Sequence, residues 1–153
     1  MAAMTRWLDP DEQRTWRAYL TASRVLMDTL DRELQRDSGM PHAYYEILVQ
    51  LSEAPGRQLR MSQLAQAAGS SRSRLSHAVA RLEAAGWVRR EDCPTDRRGQ
   101  IALLTDEGFA TLAAAAPGHV EGVRRHLFDA LSPAQVDQLR RISETLADHL
   151  TGS

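Results

Sequence analysis

The sequence predicts a mainly α-helical chain interrupted by one small β-hairpin. Three observations lead there: apolar residues recurring every three or four positions, helix-start signals ahead of those runs, and two short β-compatible stretches around a turn-rich loop. Asp9-Pro10-Asp11-Glu12 combines a capping acid, a proline at the first helical position and a glutamate at the third, so a long helix begins there. Its stripe is Trp16, Leu20, Ser23, Met27, Leu30 and Leu34, and it ends near Ser38-Gly39. A second helix is predicted from about Pro41 to Ala54, with Tyr44, Ile47, Leu48 and Leu51 inward, stopped by Pro55-Gly56.

Ser62 to Ala68 reads as a short helix, Gly69-Ser70 as a turn, and Ser71 to Ala85 as a longer helix closed by Gly86. Trp87–Glu91 and Gln100–Leu104 are the β-compatible stretches, separated by a loop over Cys93–Gly99. Thr105-Asp106-Glu107 caps a further helix on Phe109, Leu112, Ala116, Val120, Val123 and Leu127, which Pro117-Gly118 is expected to kink or break. Ser132-Pro133-Ala134-Gln135 is a capping box for a last helix on Val136, Leu139, Ile142 and Leu146. This order describes a winged helix-turn-helix with a small β-hairpin wing, residues 39–104, flanked by N- and C-terminal dimerisation helices, residues 1–38 and 105–153. The end helices carry more apolar surface than one small DNA-binding core covers, and a symmetric partner would bury the remainder.

Composition narrows the function classes. Hydrophobic residues make up 42% and charged ones 25%, as in ordinary globular proteins. No apolar run approaches the roughly 20 residues that cross a bilayer, and Met1 to Leu8 lacks the apolar region of a secretory signal, so a cytoplasmic protein without membrane contact is expected. One cysteine, Cys93, excludes an internal disulfide framework, and five scattered histidines do not suggest a metal site; no cofactor is implied. The net charge of −1 hides an asymmetry: from Arg57 to Gln100 nine arginines face four acids, a local +5 that leaves −6 elsewhere.

Ala65, Gly69 and Leu75 occupy the positions where a helix-turn-helix needs a small residue, a turn glycine and an apolar anchor. At about 100° per residue, Leu75, Ala78, Val79 and Leu82 share one side of the second helix of the pair, while Ser73, Ser76, His77 and Ala80 lie opposite. Ser71 is the expected cap, and Arg72 and Arg74 flank the outward side in the first turn. Arginine bonds bidentately to guanine, and serine and histidine reach base edges or phosphates. A plain solvated helix face is the alternative. The hairpin tip, Asp96-Arg97-Arg98-Gly99, favours the first reading, because adjacent guanidinium groups on an exposed turn suit a neighbouring minor groove. Asp96 is expected to hold an arginine in one rotamer.

The segments "MSQLAQAAGSSRSRLSHAVARL", "LEAAGWVRRE", "DRRG" and "IALLTDEG", in this order and spacing, resemble the MarR family of bacterial transcription regulators over almost the whole chain. The resemblance implies a homodimer that reads a palindromic double-stranded DNA operator, and a repressor is the expected role. It implies a recognition helix beginning at Ser71 to His77, a wing arginine at Arg98 with Asp96 as its orienting partner, and a phosphate contact at Arg97. Cys93-Pro94-Thr95 departs from the family's more usual acidic or polar residue before the proline. The resemblance further implies a small aromatic or phenolic effector bound near the dimerisation helices. Trp16, Tyr19, His42, Tyr44 and Tyr45 are the candidates to line its site, with Arg17 as a counter-charge, although aromatics at helical spacing also serve as plain core.

Three other readings stand beside this one. Cys93, taken as an exposed thiol among arginines, would make a redox-responsive regulator, though no resolving partner is present. The winged helix could serve protein contacts alone. An enzyme finds no support, since neither a G-x-S-x-G elbow nor a phosphate-cradling glycine loop occurs. His119 and His126, seven apart on one helix, read as solvent-facing.

Overall fold

The computed structural model describes residues 4–152, so the reading of the chain's start rests in part on Met1, Ala2 and Ala3, outside the described residues. The chain divides into two compact units. Unit 1 holds Met1–Asp31 and Gly122–Ser153, and unit 2 holds Arg32–Glu121. Helices α1 (Pro10–Ser38) and α5 (Asp106–His126) contribute residues to both.

Unit 2 contains α2 (His42–Glu53), a single helical turn at Pro55–Arg57, β1 (Gln58–Arg60), α3 (Met61–Ala67), α4 (Arg72–Ala84), β2 (Val88–Cys93) and β3 (Asp96–Leu104). The strands form an antiparallel sheet in the order β1-β3-β2. Its core gathers Leu34 from α1, Leu48 and Leu51 from α2, Leu64 from α3, Leu75, Val79 and Leu82 from α4, Ala102 and Leu104 from β3, and Leu112 and Ala115 from α5. The α3–α4 turn passes through Gly69 at φ +59°, a left-handed conformation that side chains disfavour, so glycine belongs there.

Two features of the sheet differ from the sequence expectation. Strand β1 was not foreseen: three residues are too few to show a period, and its pairing with Ile101–Leu103 supplies the order that local pattern does not. The stretch Cys93–Gly99 is not a long loop, because Cys93 pairs with Asp96 across a two-residue Pro94-Thr95 turn, with a register shift between Asp92 and Cys93. Asp96 and Gln100 pair with β2, and the register shift falls on Arg97, Arg98 and Gly99 between them.

Thr105 fastens the end of α4 to the start of α5. Its Oγ1 donates to the Gly86 carbonyl at 2.7 Å and accepts from the Gly108 N–H at 2.9 Å, while its own N–H bonds to the Trp87 carbonyl at 3.1 Å. Helix α5 then continues through Pro117, so of the kink or break expected there the break does not occur. Its inner residues are Leu112 and Ala115; Phe109 is instead partly exposed and carries the Arg57 guanidinium 3.7 Å from its ring centre.

In unit 1, α1 starts on a reciprocal cap: Asp9 Oδ1 accepts from the Glu12 N–H at 2.8 Å, and Glu12 Oε2 from the Asp9 N–H at 2.9 Å. After a turn at Phe128–Ala130, α6 (Pro133–Thr151) opens on the Ser132/Gln135 capping box, with bonds of 3.2 and 2.9 Å. No described residue of α6 is buried, and Leu139, Ile142, Leu146 and Leu150 stay exposed along its apolar stripe.

Gly108 tests the junction at Thr105. A Cβ there would meet the Trp87 carbonyl oxygen at 2.0 Å, so the backbone must move. Alanine's helix preference of about 1 kcal/mol is outweighed by overpacking of about 1–3 kcal/mol or more. Gly108→Ala is therefore expected to lower the thermal midpoint; an unchanged or raised midpoint in a melting scan contradicts the close approach.

Candidate nucleic-acid interface

Helix α4 begins where Ser71 Oγ accepts the Arg74 N–H at 3.2 Å, the cap its position predicts. Leu75, Val79 and Leu82 are buried, which fixes the helix about its axis. Arg72, Ser73, Arg74, Ser76 and His77 consequently project into solvent together with the small Ala80. Glu83 ties the far end of α4 to β2, its carboxylate accepting the Arg90 side chain at 2.6 Å and the Arg90 backbone N–H at 3.3 Å.

Beyond α4 the hairpin exposes Asp96, Arg97 and Arg98. Asp96 Oδ1 accepts the Arg98 backbone N–H at 3.0 Å. The expectation that Asp96 holds a guanidinium is corrected: it fixes the backbone of the turn, because a carboxylate two residues back on the same strand lies within reach of that amide. A niche of about 310 Å³ opens between the first turn of α4, the start of α3 and the hairpin, and Arg60, Ser62, Arg72, Asp96, Arg98 and Gln100 provide its polar lining. Arg60 was missed in the sequence, where only its share in the local positive balance marks it. Its Nη2 donates to Thr95 Oγ1 at 3.0 Å, 35 residues away.

Cys93 is buried, not exposed, with Sγ 3.4 Å from Thr95 Oγ1. Its thiol is pulled below the usual range mainly by the Thr95 hydrogen bonds, with the Arg60 charge a smaller contribution. Flanking arginines are therefore not the main cause, and a thiol folded inward between the strands offers little surface to an oxidant.

The aromatic candidates fall into two groups. In unit 1, Trp16 and Tyr19 have ring centres 6.3 Å apart and line an apolar groove of about 630 Å³ with Leu8, Thr15, Ile142 and Leu146. Arg17, on the same helix, donates to Gln13 at 3.4 Å. In unit 2, Tyr44 is half-buried and Tyr45 buried, with burial raising the Tyr45 hydroxyl pKa. His42 stands 3.6 Å from Glu46 and 6.4 Å, ring to ring, from Tyr45.

His119 joins that second group, its ring 4.5 Å from Tyr45 and 5.3 Å from His42. The expectation of a solvent-facing side chain fails because α2 packs aromatic rings against this turn of α5; His126 too is partly covered. His119 Nδ1 is buried without a hydrogen-bond partner. Burial first, and then the neighbouring His42, lower its pKa. Among the described residues no group of three or more His, Cys, Asp or Glu side chains could hold a metal ion, and no helix is long and apolar enough to cross a membrane.

The fold has counterparts among solved proteins. A model of the MarR family matches residues 38–99, from the end of α1 to Gly99 of the hairpin. Sco3205, a MarR family transcriptional regulator from Streptomyces coelicolor solved in complex with DNA, is 57% identical, with a TM-score of 0.92 over 95% of this chain and 92% of that one. The chain belongs to the MarR family. A second MarR-family regulator of Streptomyces coelicolor, AbsC, is 46% identical with a TM-score of 0.91 over 97% of this chain and all of that one. The transcriptional regulator HosA of Escherichia coli O111:H- is 34% identical over 94 residues, 55% of this chain and 68% of HosA. The chain spans 66% of the length of the transcriptional repressor MprA of Escherichia coli strain K12, at 28% identity. These relatives are named as transcription regulators.

The buried imidazole has a pH consequence. With its pKa lowered in the fold, His119 stays neutral where the unfolded chain, near the ordinary 6.5, takes up a proton. Its contribution to stability is present above that value and is lost as pH falls toward the lowered one. His119→Phe is expected to flatten the decline in thermal midpoint between about pH 7.5 and about pH 5.5; parallel declines in the two proteins contradict this.

Proposed function

We propose that this MarR-family regulator binds a palindromic operator as a homodimer, as a repressor, and that a small aromatic or phenolic effector releases it. The observation that carries the reading is the exposed polar face of α4 set beside the arginine-lined niche and the hairpin. In this complex α4 enters the major groove. Arg72 and Arg74 reach guanine edges or phosphates, Ser71, Ser73, Ser76 and His77 supply short donors, and Ala80 permits close approach. Arg98 enters the adjacent minor groove, Arg97 contacts phosphate, and Asp96 keeps the tip in shape. The similarity to Sco3205, crystallised with DNA, supports this assignment.

A second copy supplies the cover for α6 and for the groove at Trp16 and Tyr19, since apolar surface of this extent on an otherwise charged helix favours association. Two-fold symmetry then sets the half-sites about one helical turn apart. The effector reading rests on His42, Tyr44 and Tyr45, to which the structure adds His119. Its unpartnered Nδ1 is a polar handle for a phenol or carboxylate laid against aromatic rings.

Selection of bound duplexes from a random pool identifies the operator, and failure of the full chain to bind any duplex overturns the reading. On the best duplex, Arg98→Ala is expected to weaken binding roughly tenfold to a hundredfold while the dimer stays intact; equal affinity removes Arg98 from the interface. Ile142→Glu combined with Leu146→Glu is expected to convert dimer to monomer in sedimentation velocity, and an unchanged sedimentation coefficient places the dimer contact elsewhere.

A further inference from the structure

We propose that Arg60 is a positioning residue for the wing, holding the hairpin tip through Thr95 and not by touching DNA; the proposal rests on the operator reading above. Strand β1 supports β3 only from Ile101 to Leu103, with Arg60 opposite Ile101. From Asp92 to Gln100 the hairpin extends as two strands alone. An isolated two-stranded hairpin is marginally stable in water, so a tip that presents Arg97 and Arg98 in a fixed place needs a further attachment.

Arg60 provides it from the last position of the third strand. Its backbone is held on both sides, by the pairing with Ile101 and by the Arg60 N–H donating to Gln63 Oε1 at 3.2 Å in α3. Its Nη2 then reaches past the end of the strand to Thr95 Oγ1 at 3.0 Å. A guanidinium has no acceptor, so the hydroxyl must accept. The Thr95 hydroxyl keeps its proton and a second lone pair, and Cys93 Sγ lies 3.4 Å from the oxygen, with either atom able to donate. The two contacts run from Arg60 through Thr95 to the buried Cys93 and link the sheet's third strand to the inside of the turn. On the other strand Asp96 holds the Arg98 N–H. Cys93, which departs from the family pattern before the proline, supplies the sulfur of this path, and Thr95 supplies the hydroxyl.

The rival role is direct contact with a DNA phosphate, since Arg60 also lines the niche with Arg72 and Arg98. Salt dependence separates the two, because each phosphate contact contributes about 0.9 to the slope of log affinity against log salt. Operator affinity of the full chain is measured across salt for Arg60→Ala, Thr95→Val, the double variant and Thr95→Ser. Each of the first two is expected to weaken binding roughly threefold to tenfold, the effect of one lost hydrogen bond. The double variant is expected to bind no worse than either single, the slope to stay that of the native chain, and Thr95→Ser to bind as the native chain does. Native affinity in Thr95→Val overturns the proposal. So does a slope reduced by about 0.9 in Arg60→Ala together with an additive double variant.

Hydrogen exchange at the Arg98 amide, read without DNA, is expected to quicken several-fold in both single variants, and unchanged exchange also overturns the proposal. Failure of the native chain to bind any duplex, or an inert Arg98→Ala, sinks the operator reading instead and leaves the exchange measurement to judge Arg60.

Discussion

The burial of Leu75, Val79 and Leu82 is the constraint on which the rest of unit 2 depends. Each such side chain contributes about 1.5–3 kcal/mol when withdrawn from water, against roughly 0.2–1 kcal/mol for an exposed ion pair. The apolar side therefore fixes the rotation of α4, and the polar residues take the direction left to them. Everything attached to α4 inherits that setting: Glu83 carries it to β2 through Arg90, and Gly86 carries it to α5 through the Thr105 hydroxyl. The arrangement of the outward face is a by-product of core packing, and this is why it is rigid.

The parts legible in the sequence are those whose causes are local. Asp9 with Glu12, Ser71, and Ser132 with Gln135 each cap a helix within one turn, and each bond is formed. The inward residues of α4 follow from spacing alone. The parts not legible depend on distant neighbours. Strand β1 exists because β3, some forty residues later, pairs with it. His119 is covered by α2, more than sixty residues earlier in the chain, and Arg60 finds Thr95 from 35 residues away. No short window along the chain contains both members of these pairs.

Electrostatics works here by placement and not by total. The whole chain carries a formal charge of −1, yet Arg60, Arg72 and Arg98 stand around one niche. At physiological ionic strength charges are screened beyond about 8 Å, so an approaching polyanion at this surface responds to those three guanidinium groups and the single Asp96 carboxylate among them, and not to acids elsewhere. In the proposed complex the remaining negative charge opposes non-specific attachment of the rest of the molecule.

The register shift between Asp92 and Cys93 decides something further. Asp92 faces Gln100 while its neighbour Cys93 faces Asp96, so the pairing with β2 passes over Arg97, Arg98 and Gly99, and period-two alternation does not carry through them. Arg98 nevertheless lines the niche beside Asp96, Gly99 and Gln100, and its backbone N–H is held by Asp96 Oδ1 at 3.0 Å. The ladder does not set Arg98 in place; a neighbouring carboxylate does. The irregularity therefore releases three residues from the strand's register and hands their setting to a side chain.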